Sequence, residues 1–205
     1  MTWLRAVLFD MDGTIFDSRI DLGSVRQALR LPRDGRSFLE QLSELPPAER
    51  ERGMALLVEA EMRGSEAGRL IPGAEELVAL LHARGVRCAL ITNNSRASAE
   101  AVLRRYPLAF DLVLTRDDGA AKPDPTIFTT ALARLGVESR HALAIGDAHL
   151  DLIAAHRAGI GKLILVAPQP WVLDFVPQDI PHQRAADLYE VREIVDRVVA
   201  ADFGE

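Results

Sequence analysis

Short apolar runs, each stopped by polar residues, organise this chain. Ala6-Val7-Leu8-Phe9 is continuous and ends at Asp10 and Gly13. Val86 to Ile91 ends at Thr92-Asn93-Asn94, and Ala142-Leu143-Ala144-Ile145 ends at Gly146-Asp147. Asp111 to Thr115 and Lys162 to Val166 repeat the pattern. Continuous runs of this kind predict strands buried on both faces. Between them, Ala74 to Arg84, Ala97 to Arg105, Thr126 to Leu135 and His149 to Ala158 place apolar residues at helical spacing. Alternating strand and helix imply right-handed crossovers, hence an α/β, Rossmann-like core with a mostly parallel sheet and helices on both faces. Ligands of such sheets bind beyond the carboxyl ends of the strands.

Residues 17–70 break the alternation. They hold helical stretches, Ser37 to Leu45 and Ala48 to Met62, separated by Pro46-Pro47, and no convincing strand. The core pattern resumes near Pro72-Gly73. The expected organisation is therefore a catalytic core from residues 1–16 and 71–205 with a small helical cap, residues 17–70, inserted after the first strand. Leu188 to Val199 reads as a last amphipathic helix.

The bulk properties narrow the partners. At 205 residues, 48 % hydrophobic and 26 % charged, the chain suits a folded core with one modest insertion. Its net charge is -6 and its basic residues form no run, which argues against nucleic acid and anionic membrane as partners. Met1 to Phe9 is too short for a membrane span and leads directly into two aspartates, so a cytoplasmic location is expected. The single cysteine, Cys88, lies in an apolar run and reads as a small buried hydrophobe. Oligomeric state leaves no signal in the pattern.

Polar groups gather at the ends of the expected strands: Asp10 and Asp12, then Thr92 and Asn93, then Gly146, Asp147 and Asp151. Carboxylates so crowded resist joint ionisation unless a cation lies among them. Magnesium, which takes carboxylates, waters and phosphate oxygens, suits this set better than zinc, for which no ligand spacing is present. Gly159-Ile160-Gly161-Lys162 lacks the spacing of a phosphate loop and reads as a turn.

At this point the sequence resembles the haloacid dehalogenase superfamily. Asp10-Met11-Asp12-Gly13-Thr14-Ile15-Phe16-Asp17-Ser18 matches the first family motif and Thr92-Asn93 the second. Lys122-Pro123-Asp124-Pro125 is similar to the third, and Gly146-Asp147-Ala148-His149-Leu150-Asp151 to the fourth. The resemblance implies a phosphomonoester hydrolase that needs Mg2+ and takes a small-molecule phosphate ester. Asp10 would be the nucleophile and Asp12 the general acid and base, with Gly13 allowing the backbone to turn close to the phosphate. Thr92, the Asn93 region and Lys122 would bind the phosphoryl group. Asp10, Asp147 and the Asp12 backbone carbonyl would hold the metal, with Asp151 orienting Lys122 or a metal-bound water. His149 would face solvent.

Asp12 separates the chain from the dehalogenases of that superfamily, which lack an acid there. Leu22 stands where beta-phosphoglucomutase-like members carry a cap histidine, which disfavours a phosphomutase. A noncatalytic phosphate-binding relative is a third reading, opposed by retention of the acid-base residue Asp12. The insertion between the first two motifs resembles the phosphoglycolate-phosphatase-like subfamily with a shortened cap, and Arg26, Arg33, Arg36 and Arg63 are its candidate substrate contacts.

Overall fold

The computed structural model describes residues 3–201. In chain order the elements are β1 (Ala6–Phe9), β2 (Phe16–Asp17), α1 (Leu22–Ala28), α2 (Phe38–Ser43), α3 (Pro47–Ala67), β3 (Arg69–Leu70), α4 (Ala74–Ala83) and β4 (Arg87–Ile91). They continue with α5 (Arg96–Arg105), β5 (Leu112–Leu114), α6 (Thr126–Leu135), β6 (Ala142–Gly146), α7 (His149–Arg157), β7 (Lys162–Val166), β8 (Gln183–Ala185) and α8 (Leu188–Ala201).

Among the described residues, six strands form one sheet in the order β5-β4-β1-β6-β7-β8, all parallel. Alternating side chains of β1 leave opposite faces, as strand geometry requires. Val7 and Phe9 join the apolar faces of α4 and α8 through Leu77, Leu81, Leu188 and Val195. Ala6 and Leu8 join α6 and α7 through Phe128, Leu132, Leu152 and Ala155. Burial on both faces explains why the strands read as unbroken apolar runs. The chain has the Rossmann-like α/β fold, with β1 at the centre of the sheet and flanked by β4 and β6.

Between β2 and β3 the chain runs through α1, α2 and α3, which enclose a small apolar cluster of Leu29, Phe38, Leu42 and Leu57. α2 starts in a capping box, with the Ser37 hydroxyl accepting from the Glu40 amide and the Glu40 carboxylate accepting from the Ser37 amide. α3 has Pro47 in its first turn, where no amide is needed, and extends beyond the Ala48 to Met62 expectation at both ends. The expectation of no strand around this segment is corrected at its two ends. β2 and β3 pair antiparallel, Phe16 with Leu70 and Asp17 with Arg69. Two-residue strands carry too little periodicity to be read from sequence. No helix among the described residues is long and apolar enough to cross a membrane.

Candidate functional site

The central strands deliver their terminal polar groups to one sheet edge. The Asp10 amide donates to the Ile145 carbonyl at 2.9 Å, continuing the β1–β6 ladder by one residue. The chain then turns sharply, with the Ile15 and Phe16 amides donating to the Met11 carbonyl at 3.0 and 2.9 Å. Gly13 makes this turn possible. Its φ is +78°, and a Cβ there would lie 2.1 Å from Asp147 Oδ2. Gly146 is needed for a similar reason, since its Cβ would lie 2.4 Å from the Asp151 Cβ. Gly13 thus lets the first motif close on the fourth, and Gly146 lets the fourth fold back on itself.

Lys122 reaches this edge from the loop before α6, although it is only 3 % exposed. Its Nζ donates to Asp10 Oδ1 and Asp151 Oδ1, each at 2.5 Å, and to the Ile91 carbonyl at 3.0 Å. Burial opposes its charge, but Asp10 and Asp151 outweigh burial and hold its pKa above the ordinary lysine value. Asp151 Oδ2 also accepts from the Ala148 amide at 3.1 Å, so one carboxylate caps α7 and steadies the lysine.

Asp10, Asp147 and Asp151 bring one oxygen each within 4.8 Å of the others. Burial pushes Asp10 up to about 7, with Lys122 opposing and Asp151 and Asp12 reinforcing the rise. Burial and the neighbouring Asp10 and Asp151 raise Asp147 well above the carboxylate range. Three crowded acids with one lysine carry excess negative charge, the setting in which a hard cation is favourable. Asp12 lies beside them. Burial raises it to about 6, opposed by hydrogen bonds from Ser18 and Asn94. Asn94 Nδ2 donates to Asp12 Oδ2 at 2.5 Å, and Asp12 Oδ1 is buried without a hydrogen-bond partner among the described residues.

In the second motif the Asn93 side chain packs onto the lysine loop. Asn93 Oδ1 accepts from the Lys122 amide at 2.8 Å, and Nδ2 donates to the Lys122 carbonyl at 2.9 Å. Both ends of its side chain therefore brace the lysine backbone. Thr92 is buried, with Oγ1 accepting from the Asn94 amide at 3.1 Å.

The site opens into a cavity of about 500 Å³ lined by these residues and by the α1–α3 segment, including Leu22 and Phe38. Arg26, Arg33 and Arg36 line it too. Arg63 does not: it is exposed on α3 and pairs with Glu59 at 3.2 Å. His149, expected in solvent, is 3 % exposed. Its Nε2 donates to the Gly35 carbonyl at 2.6 Å, and its ring lies against Trp171 and Phe175. The covering groups come from distant parts of the chain, which no local pattern around His149 announces. Asn94, Glu61 and Arg116 were also missed. Glu61 had a readable signal, because it shares the buried stripe of α3 with Leu57, Ala60 and Gly64 at helical spacing.

The model of the haloacid dehalogenase-like hydrolase family matches residues 4–159. The chain belongs to this family. The match spans Asp10, Asp12, Thr92, Asn93, Lys122, Asp147, His149 and Asp151. Among relatives, a phosphoglycolate phosphatase of Neisseria gonorrhoeae is 31 % identical over 191 residues, covering 76 % of this chain and 77 % of that protein. A haloacid dehalogenase-like hydrolase domain-containing protein of Arabidopsis thaliana is 25 % identical over 175 residues, covering 80 % of this chain and 71 % of that one. The crystal structure of a hydrolase from Pseudomonas syringae superposes with a TM-score of 0.80 at 22 % identity, covering 95 % of this chain and 99 % of that one, which is a likeness of fold. This haloacid dehalogenase-like hydrolase thus carries its family's match and its polar cluster over the same strand ends.

Proposed function

We propose that this hydrolase is a magnesium-dependent phosphatase that removes phosphate from a small phosphomonoester through an aspartyl-phosphate at Asp10, working in the cytoplasm. The observation that carries the reading is the grouping of Asp10, Asp147 and Asp151, two of which, Asp10 and Asp151, share the Lys122 amine. The donor set fits a hard divalent cation: it is all oxygen and holds carboxyls whose pKa values are raised. Asp10, Asp147 and the Asp12 carbonyl would hold Mg2+, which would supply positive charge against the phosphate oxygens.

The remaining work falls to the chain. The Asp10 carboxylate attacks phosphorus, forming an acyl phosphate as the bond to the alcohol oxygen breaks. Asp12 gives its proton to that oxygen, then takes a proton from the water that hydrolyses the acyl phosphate. A carboxyl raised to about 6 can serve in both directions near neutral pH, and Asn94 fixes its orientation. Lys122 neutralises charge on the transferring group and Thr92 donates to it. Asn93 contributes by holding the Lys122 backbone. Residues 17–70 act as a cap that closes the cavity over the ester. Relatives named phosphoglycolate phosphatase support a small phosphorylated metabolite as the substrate class.

The test is phosphate release from an aryl phosphate with and without Mg2+. Release that depends on the ion and disappears in Asp10→Asn supports the reading. Equal release from wild type and variant contradicts it.

A further inference from the structure

Glu61 is a carboxylate for which the proposed reaction has no use, yet it is 1 % exposed. It projects from α3 onto the loop that follows β4. Its Oε2 accepts from the Ser95 amide at 3.2 Å and the Ser95 hydroxyl at 2.8 Å. Arg116, on the 3-10 turn after β5, grips it with both terminal nitrogens: Nη1 on Oε1, and Nη2 on Oε2 at 3.1 Å. The Arg116 side chain is itself only 8 % exposed.

The same Arg116 Nη1 also donates to the Asn93 carbonyl at 3.0 Å. Asn93 holds the Lys122 amide and carbonyl at 2.8 and 2.9 Å, and Lys122 Nζ meets Asp10 Oδ1 at 2.5 Å. An unbroken series of polar contacts therefore runs from the middle of α3 to the proposed nucleophile.

We infer that Glu61 is a positioning residue that, through Arg116 and Asn93, couples the seating of α3 on the core to the placement of the Lys122 ammonium beside Asp10. The inference rests on the role of Lys122 proposed above. Adhesion alone does not call for such a pair, because burying two charges carries a desolvation cost that well-packed apolar side chains avoid. A bidentate carboxylate–guanidinium pair instead fixes geometry. When α3 leaves its seat, Arg116 loses its counter-charge and is left on the Asn93 carbonyl alone. The brace on Lys122 is then complete only in the closed arrangement, so the site is assembled when the cavity is covered.

The test compares Glu61→Gln, Arg116→Met and the double variant with wild type, reading melting temperature, kcat, KM and amide hydrogen exchange at Lys122. Each single variant strands a buried charge or polar partner and melts lower. The double variant strands no charge, so its melting temperature returns towards wild type. Its kcat nevertheless stays reduced about tenfold or more, because small misplacements of a charged group are costly in rate, while KM for the aryl phosphate changes less. Exchange at the Lys122 amide rises in the same variant. Recovery of kcat together with melting temperature, or Lys122 exchange equal to wild type, overturns the inference. If the double variant fails to fold, Glu61→Asp replaces it, since it keeps the charge and shortens its reach, and the same rise in Lys122 exchange is expected. Lys122 exchange reads the relay whether or not the enzyme releases phosphate, whereas Asp10→Asn tests the chemistry, so the two can fail separately.

Discussion

Lys122 Nζ stands 2.5 Å from Asp10 Oδ1, joining residues 112 positions apart in the chain. The contact depends on β1 and on the loop before α6 meeting at one sheet edge. It also leaves Asp10 with a cation that a second carboxylate, Asp151, shares at 2.5 Å. Removing the amine leaves two buried acids facing each other. Lys122→Met is expected to lower kcat by about a hundredfold to a thousandfold, the cost typical of losing one charge-stabilising donor. Steady-state kinetics on an aryl phosphate measures it, and wild-type kcat would remove Lys122 from the chemistry.

Asp12 is expected to act twice, as acid and then as base. Asp12→Asn keeps the size of the side chain and loses the proton relay. The variant should lose turnover or accumulate phosphoenzyme, seen as a burst of alcohol release without matching phosphate release. Wild-type rates of both would show that Asp12 has no part.

Gly146 has no room for a Cβ, because Asp151 fills that space from 2.4 Å away. Gly146→Ala must push back the first turn of α7, which carries Asp151 and begins two residues after Asp147. We expect a stability loss of about 1–3 kcal/mol from overpacking and a fall in kcat of about a hundredfold from misplacement. Thermal denaturation and kinetics together check this, and a stable, fully active variant would contradict it.

The strand ends that hold the site were legible because burial on both faces leaves unbroken apolar runs, and the polar residue that stops each run marks the edge. Asp10, Asp147 and Asp151 meet there as their positions suggested, and Lys122, named only through the family resemblance, joins them. The side chains whose partners were not legible share a different physics. His149 at the start of α7 resembles an ordinary exposed first-turn residue, and only Gly35 and the aromatic pair Trp171 and Phe175 bury it. Asn93 beside Thr92 gives no sign that both ends of its amide bond to Lys122, 29 residues away. Glu61 shares the buried stripe of α3, so its burial was legible, but its partners Arg116 and Ser95 were not. Such side chains are set by tertiary partners, which local spacing does not encode. The strands β2, β3 and β8 are two or three residues long and leave no period to detect.

Cys88 offers a test of the core independent of catalysis. Burial, reinforced by the charge of Asp111, pushes its thiol from 9.0 up to about 12. Because the folded thiol keeps its proton where the unfolded one loses it, its contribution to stability is full below about pH 9 and is lost as pH rises towards 12. At about pH 9, iodoacetamide should label the unfolded chain readily and the native protein hardly at all. Cys88→Ala should retain wild-type kcat. Rapid native labelling would contradict the burial of this strand.

The central claim is that Asp10 takes the phosphoryl group. Its most direct test is rapid acid quenching of the enzyme during turnover with Mg2+ and an aryl phosphate, followed by mass spectrometry of the peptide containing Asp10. The account predicts one phosphoryl group on Asp10 in wild type and none in Asp10→Asn. Continued turnover with that peptide unmodified, or a phosphoryl group on another residue, would contradict it.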